Sequence, residues 1–145
     1  MDAEIKRNRK KTLIIAATVI TLIFGVYAVA TNMMSGINRL PLTAQENPMV
    51  KEAYMFATEH PEVLESVPCF CGCVHKGHRH NRDCFIDDSG RYVEHGSLCG
   101  GCIEVALASK KLYEEGKSLK EIRESIDQTF GSSPMADPTP TPQVQ

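Results

Sequence analysis

The sequence predicts a small, mainly α-helical, cysteine-rich domain with one short β-hairpin, preceded by an N-terminal transmembrane helix. Three observations carry this expectation. An uncharged apolar run extends from Thr12 to Ala30. Apolar residues recur at helical spacing on both sides of a central segment. All six cysteines fall within that segment, between Cys69 and Cys102. A length of 145 residues suits one domain plus appendages. It leaves no room for a large multi-domain enzyme or a Rossmann sheet. A formal net charge of -2 argues against a general nucleic-acid binder, which would carry a basic surplus.

Residues 1–11 hold Lys6, Arg7, Arg9, Lys10 and Lys11 and read as a cytoplasmic basic N-terminus. The run 12–30 contains no charge, Asn, Gln or Pro. A helix needs ~20 such residues to cross the hydrocarbon core, so this run reads as a signal-anchor helix. The basic cluster before it keeps the N-terminus inside, and the rest of the chain then lies outside the cytoplasmic membrane. The alternative is a protein secreted after cleavage near Ala30, because Ala28-Val29-Ala30 has the small-x-small form of a signal-peptidase site.

Residues 31–46 show no clear period and read as a linker, and residues 47–131 read as the Cys/His-rich extracytoplasmic domain. Asn47-Pro48 has the form of a helix start, Asn as N-cap and Pro at the first helical position. Val50, Ala53, Tyr54 and Ala57 follow at helical spacing. Pro61 interrupts that helix at His60, and a short second piece, 61–66, leads to the cysteines. Cys84-Phe85-Ile86 and Arg91-Tyr92-Val93 flank Asp87-Asp88-Ser89-Gly90, which predicts a hairpin with Gly90 at positive φ. Ile103, Ala106, Leu107 and Leu112 predict a helix over 101–115, with Gly116 as its stop. Ser118-Leu119-Lys120-Glu121 is a capping box that opens a last helix to Phe130. The expected core is Val50, Tyr54, Leu64, Ile103, Leu107, Leu112, Ile122, Ile126 and Phe130. Residues 132–145, with Pro134, Pro138, Pro140 and Pro142, read as a disordered tail.

The chemistry concentrates in Pro68-Cys69-Phe70-Cys71-Gly72-Cys73, Cys84 and Cys99-Gly100-Gly101-Cys102. Side chains alternate along an extended segment, so Cys69, Cys71 and Cys73 would point to one side, ~6–7 Å apart along a straight strand. Gly72 allows the chain to curl and shorten that spacing. A Cys-x-x-Cys pair leading into a helix is a chelating or redox pair, because the helix N-terminus favours the thiolate. His75, His78, His80 and His95 accompany the thiols. Soft thiolates select Cu(I) or Zn(II), and imidazole suits both metals. An extracytoplasmic six-cysteine domain equally suits a disulfide framework. The stretch from His75 to Arg82 equally suits a solvated basic loop, since Lys76, Arg79 and Arg82 are interleaved with the histidines.

Val67 to Cys73, Asp83-Cys84-Phe85-Ile86, His95, Cys99-x-x-Cys102 and Gly116 to Arg123 together resemble the PCYCGC-motif family, also called the CYCXC family. The resemblance covers about residues 48–130. It implies an exported, membrane-tethered protein whose signature residues are Cys69, Cys71, Cys73, Cys84, Cys99, Cys102, His78 and His95. The resemblance also implies that some relatives contain selenocysteine. Phe70 stands where the family has Tyr, and no lipobox cysteine precedes Cys69, so the tether expected here is the helix itself.

Two functions of different class follow, and a third is structural. The first is a membrane-anchored metal-binding protein that buffers, senses or delivers copper or zinc through Cys69, Cys71, Cys73, Cys84, Cys99, Cys102, His78 and His95. Its expected partners are the membrane, through residues 12–30, and a metal transporter or metalloenzyme. The second is a thiol–disulfide redox protein with Cys99 and Cys102 as its active pair and a redox partner. Only one helix follows Cys102, so a thioredoxin fold is not expected, although thiol exchange does not require one. The third is a disulfide-stapled structural domain. No Ser/His/Asp order, Gly-rich phosphate loop or paired carboxylates mark hydrolase or kinase chemistry, and an enzyme is the less expected outcome.

Overall fold

Asn47 and Pro48 start the first long helix of the Cys/His-rich domain in the way their side chains dictate. In the computed structural model, which describes residues 15–29 and 40–144, the Asn47 carboxamide accepts from the Met49 and Val50 amides at 3.0 and 3.5 Å. These bonds satisfy two of the helix's otherwise unpaired N–H groups. The helix, α3, runs Pro48–Glu59 and stops where Pro61 begins α4, Pro61–Ser66. A short helix, α2 (Leu42–Glu46), precedes them and buries Ala44. Leu40 and Ala44 are core residues, so the stretch expected to be a linker is part of the fold from residue 40 onward.

The chain then makes two single turns of 3-10 helix, Cys73–Lys76 and Asn81–Cys84, before α5 (His95–Leu98) and α6 (Gly100–Glu114). Gly116, at φ 79°, ends the chain's passage out of α6. Ser118 and Glu121 then form both bonds of the capping box that opens α7, Leu119–Phe130. Helix α6 is central, packing against α3, α4 and α7. Val50, Tyr54, Leu64, Ile103, Ile122 and Ile126 are buried between them, and Leu107, Leu112 and Phe130 flank that core. Phe56 and Phe85 are further buried rings.

Three further expectations are corrected. The hairpin is absent: no strand is present among the described residues, and 84–93 forms a turn with one antiparallel bridge, Ile86 to Tyr92. The reason lies on both flanks. Cys84 closes a 3-10 turn, and His95 opens α5, which leaves too few extended residues for a ladder. The turn itself is held by Asp87, whose carboxylate accepts from the Ser89 and Arg91 amides at 2.9 Å each. Gly90 takes φ 78° there.

The transmembrane helix is the second correction. Among the described residues no helix is long and apolar enough to cross a membrane. Helix α1 spans residues 15–29. At 1.5 Å per residue this described part is about 22 Å long, short of the ~30 Å hydrocarbon core. It exposes Ile15, Val19, Leu22, Phe24, Val26 and Tyr27 and forms a unit separate from the residues beyond 38. Residues 12–14 and 30 of the expected span, the basic segment 1–11 and residues 31–39 lie outside the described residues.

The third concerns the Pro-rich tail, which lies as an extended strap on the cysteine segment. Asp137 pairs with Cys71 in a parallel bridge, and the Asp137 and Thr139 amides donate to Phe70 and Cys69 carbonyls at 3.1 and 2.9 Å. Thr139 and Thr141 are buried. The buried Arg123 guanidinium fixes the strap from below, donating to the carbonyls of Ser66, Thr141 and Pro142 while pairing with Asp127 at 2.8 Å. The prolines have no N–H to leave unsatisfied, so a strap bonded through alternate residues suits them.

Candidate metal centre

The motif 68–73 divides its residues between scaffold and site. Pro68 is fully buried, and Phe70 stacks on Phe130 of α7 with ring centroids 6.1 Å apart. The ring position is therefore filled here as a packing contact. Cys69 is buried, and its amide donates to the Thr139 hydroxyl at 3.0 Å. Gly72 takes φ 74°, which turns the chain into the first 3-10 turn and brings Cys73 back beside Cys69. The three motif sulfurs therefore do not form one row. Cys69 and Cys73 face inward, whereas Cys71 is exposed.

Cys69, Cys73, Cys84 and Cys102 converge in a buried pocket, with all four Sγ atoms within 4.8 Å of one another. Cys69 Sγ lies 3.2 Å from Cys73 and 3.5 Å from Cys102, and Cys73 lies 3.8 Å from both Cys84 and Cys102. All six cysteines are free. A disulfide would need ~2.05 Å, so the stapled-domain expectation has no bond to rest on. His95 Nε2 stands 3.2 Å from Cys73 Sγ, and His78 Nδ1 3.4 Å from Cys84 Sγ. The two imidazoles meet edge to face at 5.2 Å. They form with Cys73 and Cys84 a second candidate ligand set. Cys71, Cys99 and Cys102 form a third.

His75 and His80 stay outside. His75 is exposed and bonds Asp137 at 2.8 Å, while His80 sits against Asp83. The loop that carries His78 is tied down at Asn81, whose amide donates to the Val67 carbonyl at 2.9 Å and whose side chain donates to the Cys102 carbonyl at 3.3 Å.

Crowding makes the thiols share protons. Hydrogen bonds from Cys102 and then Cys71 pull Cys69 down to about 4. Bonds from Cys102 and then Cys69 also push Cys73 well below the usual thiol range. Cys102, which donates first to Cys69, is held protonated. At Cys84 a bond from Cys102 pulls downward, but contacts with Cys69 and Cys73 and burial outweigh it, and the thiol is pushed up. Burial likewise pushes up Cys99, against the effect of the helix start it caps. His78 is lowered by burial and then by His95, which leaves it a neutral imidazole with a lone pair to donate.

Asp137 and Thr139 are site-supporting residues that sequence reasoning missed. The alternation Thr139-Pro140-Thr141 is the period of an extended segment with one buried face, and that was the available signal. Gly101 is another: a Cβ there would lie 2.6 Å from Cys71 Sγ, so only glycine lets this sulfur reach Cys99 and Cys102.

The fold and site define a small helical domain whose six free thiols and two imidazoles could hold metal. The chain belongs to the family described as proteins of unknown function with a PCYCGC motif, which matches residues 28–144. No curated protein and no solved structure matches it.

Proposed function

We propose that this domain is a soft-metal-binding module, for Cu(I) first and Zn(II) second, that buffers and delivers the ion. The observation that carries this reading is the buried set of four free thiols, Cys69, Cys73, Cys84 and Cys102. A tetrahedral thiolate site with metal–sulfur bonds of ~2.3 Å has sulfur–sulfur edges of ~3.8 Å. Four of the six separations, at 3.2–3.8 Å, are already close to that size, and all lie within 4.8 Å. The three ligand sets overlap through Cys73, Cys84 and Cys102, so bridging thiolates would join more than one ion in a single cluster. Six thiols and two imidazoles exceed the four donors that a single structural zinc needs.

The thiol–disulfide reading would use Cys99 and Cys102, two thiols that also stand within reach of one ion together with Cys71. The test is titration of the reduced protein with Cu(I) and with Zn(II), beside a disulfide-reductase assay of the same preparation. Tight uptake of more than one equivalent of Cu(I) is the expected result. Absence of binding for both ions, together with turnover that needs Cys99 and Cys102, would overturn it in favour of redox chemistry.

A further inference from the structure

The donors do not share one environment. Cys69, Cys73, Cys84 and Cys102 are buried, and as four thiols they make a closed tetrahedral set. Cys71 is exposed and Cys99 half-buried, and with Cys102 they make a set of three. Three protein ligands leave room for a fourth, incoming one, as they do in open zinc sites. Cys102 is the only donor common to the closed set and the open one.

We propose that Cys71 and Cys99 form a transfer port, through which Cu(I) passes between the buried set and a partner that presents a pair of exposed thiols. The inference rests on the metal-binding reading above and adds the route and the kind of partner. The surroundings of the port fit it. Gly100 is exposed, and a Cβ there would meet nothing within 4 Å; Gly101 carries no side chain either, so the approach to Cys71 and Cys99 is sterically bare. Leu98, 69 % exposed, stands beside it in the chain and offers an apolar contact to an incoming protein. The other opening, at His78, suits a soft ion less. That imidazole lines a cavity with Asp83, Asp87 and Asp88, which offer oxygen, and Arg79 already bonds both Asp83 and Asp88.

Transfer is ligand exchange. An incoming thiolate fills the open position on the port-bound ion, forming one copper–sulfur bond, and a port cysteine then leaves, breaking one. The proton released by the incoming thiol is taken up by the cysteine set free. Copper stays Cu(I), and no electron moves. Movement inward exchanges Cys71 and Cys99 for Cys69 and Cys73 while Cys102 remains bound.

The experiment loads the full chain with Cu(I) and follows its transfer to a short peptide containing Cys-x-x-Cys. Wild-type protein that binds no Cu(I) would sink the parent reading, and this is seen before any transfer is measured. In the double variant Cys71→Ser/Cys99→Ser the buried set should keep its ion, total uptake should fall, and transfer of the retained ion should slow about tenfold or more, since exchange depends on access to the attacked centre. Gly100→Phe, which alters no donor, should leave uptake unchanged and slow transfer to the peptide. Transfer at the wild-type rate from both variants would overturn the port. So would loss of all copper from a still-folded double variant, since the two sets would then not be separable.

Discussion

Helices α3, α6 and α7 are joined chiefly by apolar side chains, whereas the segment from Pro68 to Cys99, which carries seven of the eight candidate donors, adds to its buried Phe70, Phe85 and Ile86 a set of polar threads. In the helical part Ile122 and Ile126 face α6 with no polar partner to find, and burial alone holds them. In the segment, position is set by individual bonds: Thr139 to the Cys69 amide, Asn81 to Val67 and Cys102, and Tyr54 to Val93 and Ser97. A wall held by burial tolerates small displacements and fails all at once. A segment held by single directional bonds can be disturbed one donor at a time. The domain thus holds seven donors on a segment fixed by directional bonds, and the eighth, Cys102, on helix α6.

Substitutions can break this contrast. The largest effect on metal is expected at Cys102, the thiol shared by the closed and open sets. Cys102→Ser should lower bound Cu(I) more than Cys71→Ser does, measured as equivalents retained after desalting, with helicity by circular dichroism unchanged. Equal losses would mean that Cys102 bridges nothing. On the other side of the comparison, Ile126→Ala should cost ~2–5 kcal/mol of stability in urea unfolding while the variant that remains folded keeps its metal equivalents. A loss of metal in the folded variant would show that wall and site are one unit.

The smallest effect tests the junction. Burial pushes the Tyr54 hydroxyl up to about 12, so the fold favours its neutral form. The unfolded chain ionises this group near ~10. Its contribution is therefore fully present below about pH 10 and is lost as pH rises towards about 12. Tyr54→Phe should flatten that part of the alkaline unfolding curve. At neutral pH it should cost ~1–3 kcal/mol, because the Val93 carbonyl and the Ser97 amide lose their partner. An unchanged alkaline limb would place the loss elsewhere, on the thiols.

What the sequence showed follows the same division. Asn47-Pro48, the Ser118–Glu121 capping box and the spacing of Ile122, Ile126 and Phe130 are local signals, and each helix appears where its signal stands. The identity of the thiols was legible from composition, and the structure brings His78 and His95 to them while leaving His75 and His80 aside. Their arrangement was not legible. Alternation placed Cys69, Cys71 and Cys73 on one side, and the left-handed turn at Gly72 divides them. The hairpin failed because flanking helical turns consumed its strands. The apolar run 12–30 had the composition of a span, but its described helix is too short for one. The strap was hidden because prolines report only what a segment cannot do with its own N–H groups, and say nothing of the carbonyls and threonines between them.

That strap bears on the order in which the molecule is built. The first cysteine of the motif is braced by Thr139, seventy residues later in the chain. On a ribosome, all six thiols and both imidazoles emerge well before that brace does. A nascent chain therefore passes through a stage in which the helices and every donor are present but the wall behind Cys69 is missing. Completion of the pocket waits for residues 137–141, and a chain clipped before residue 137 would be held at the stage before it.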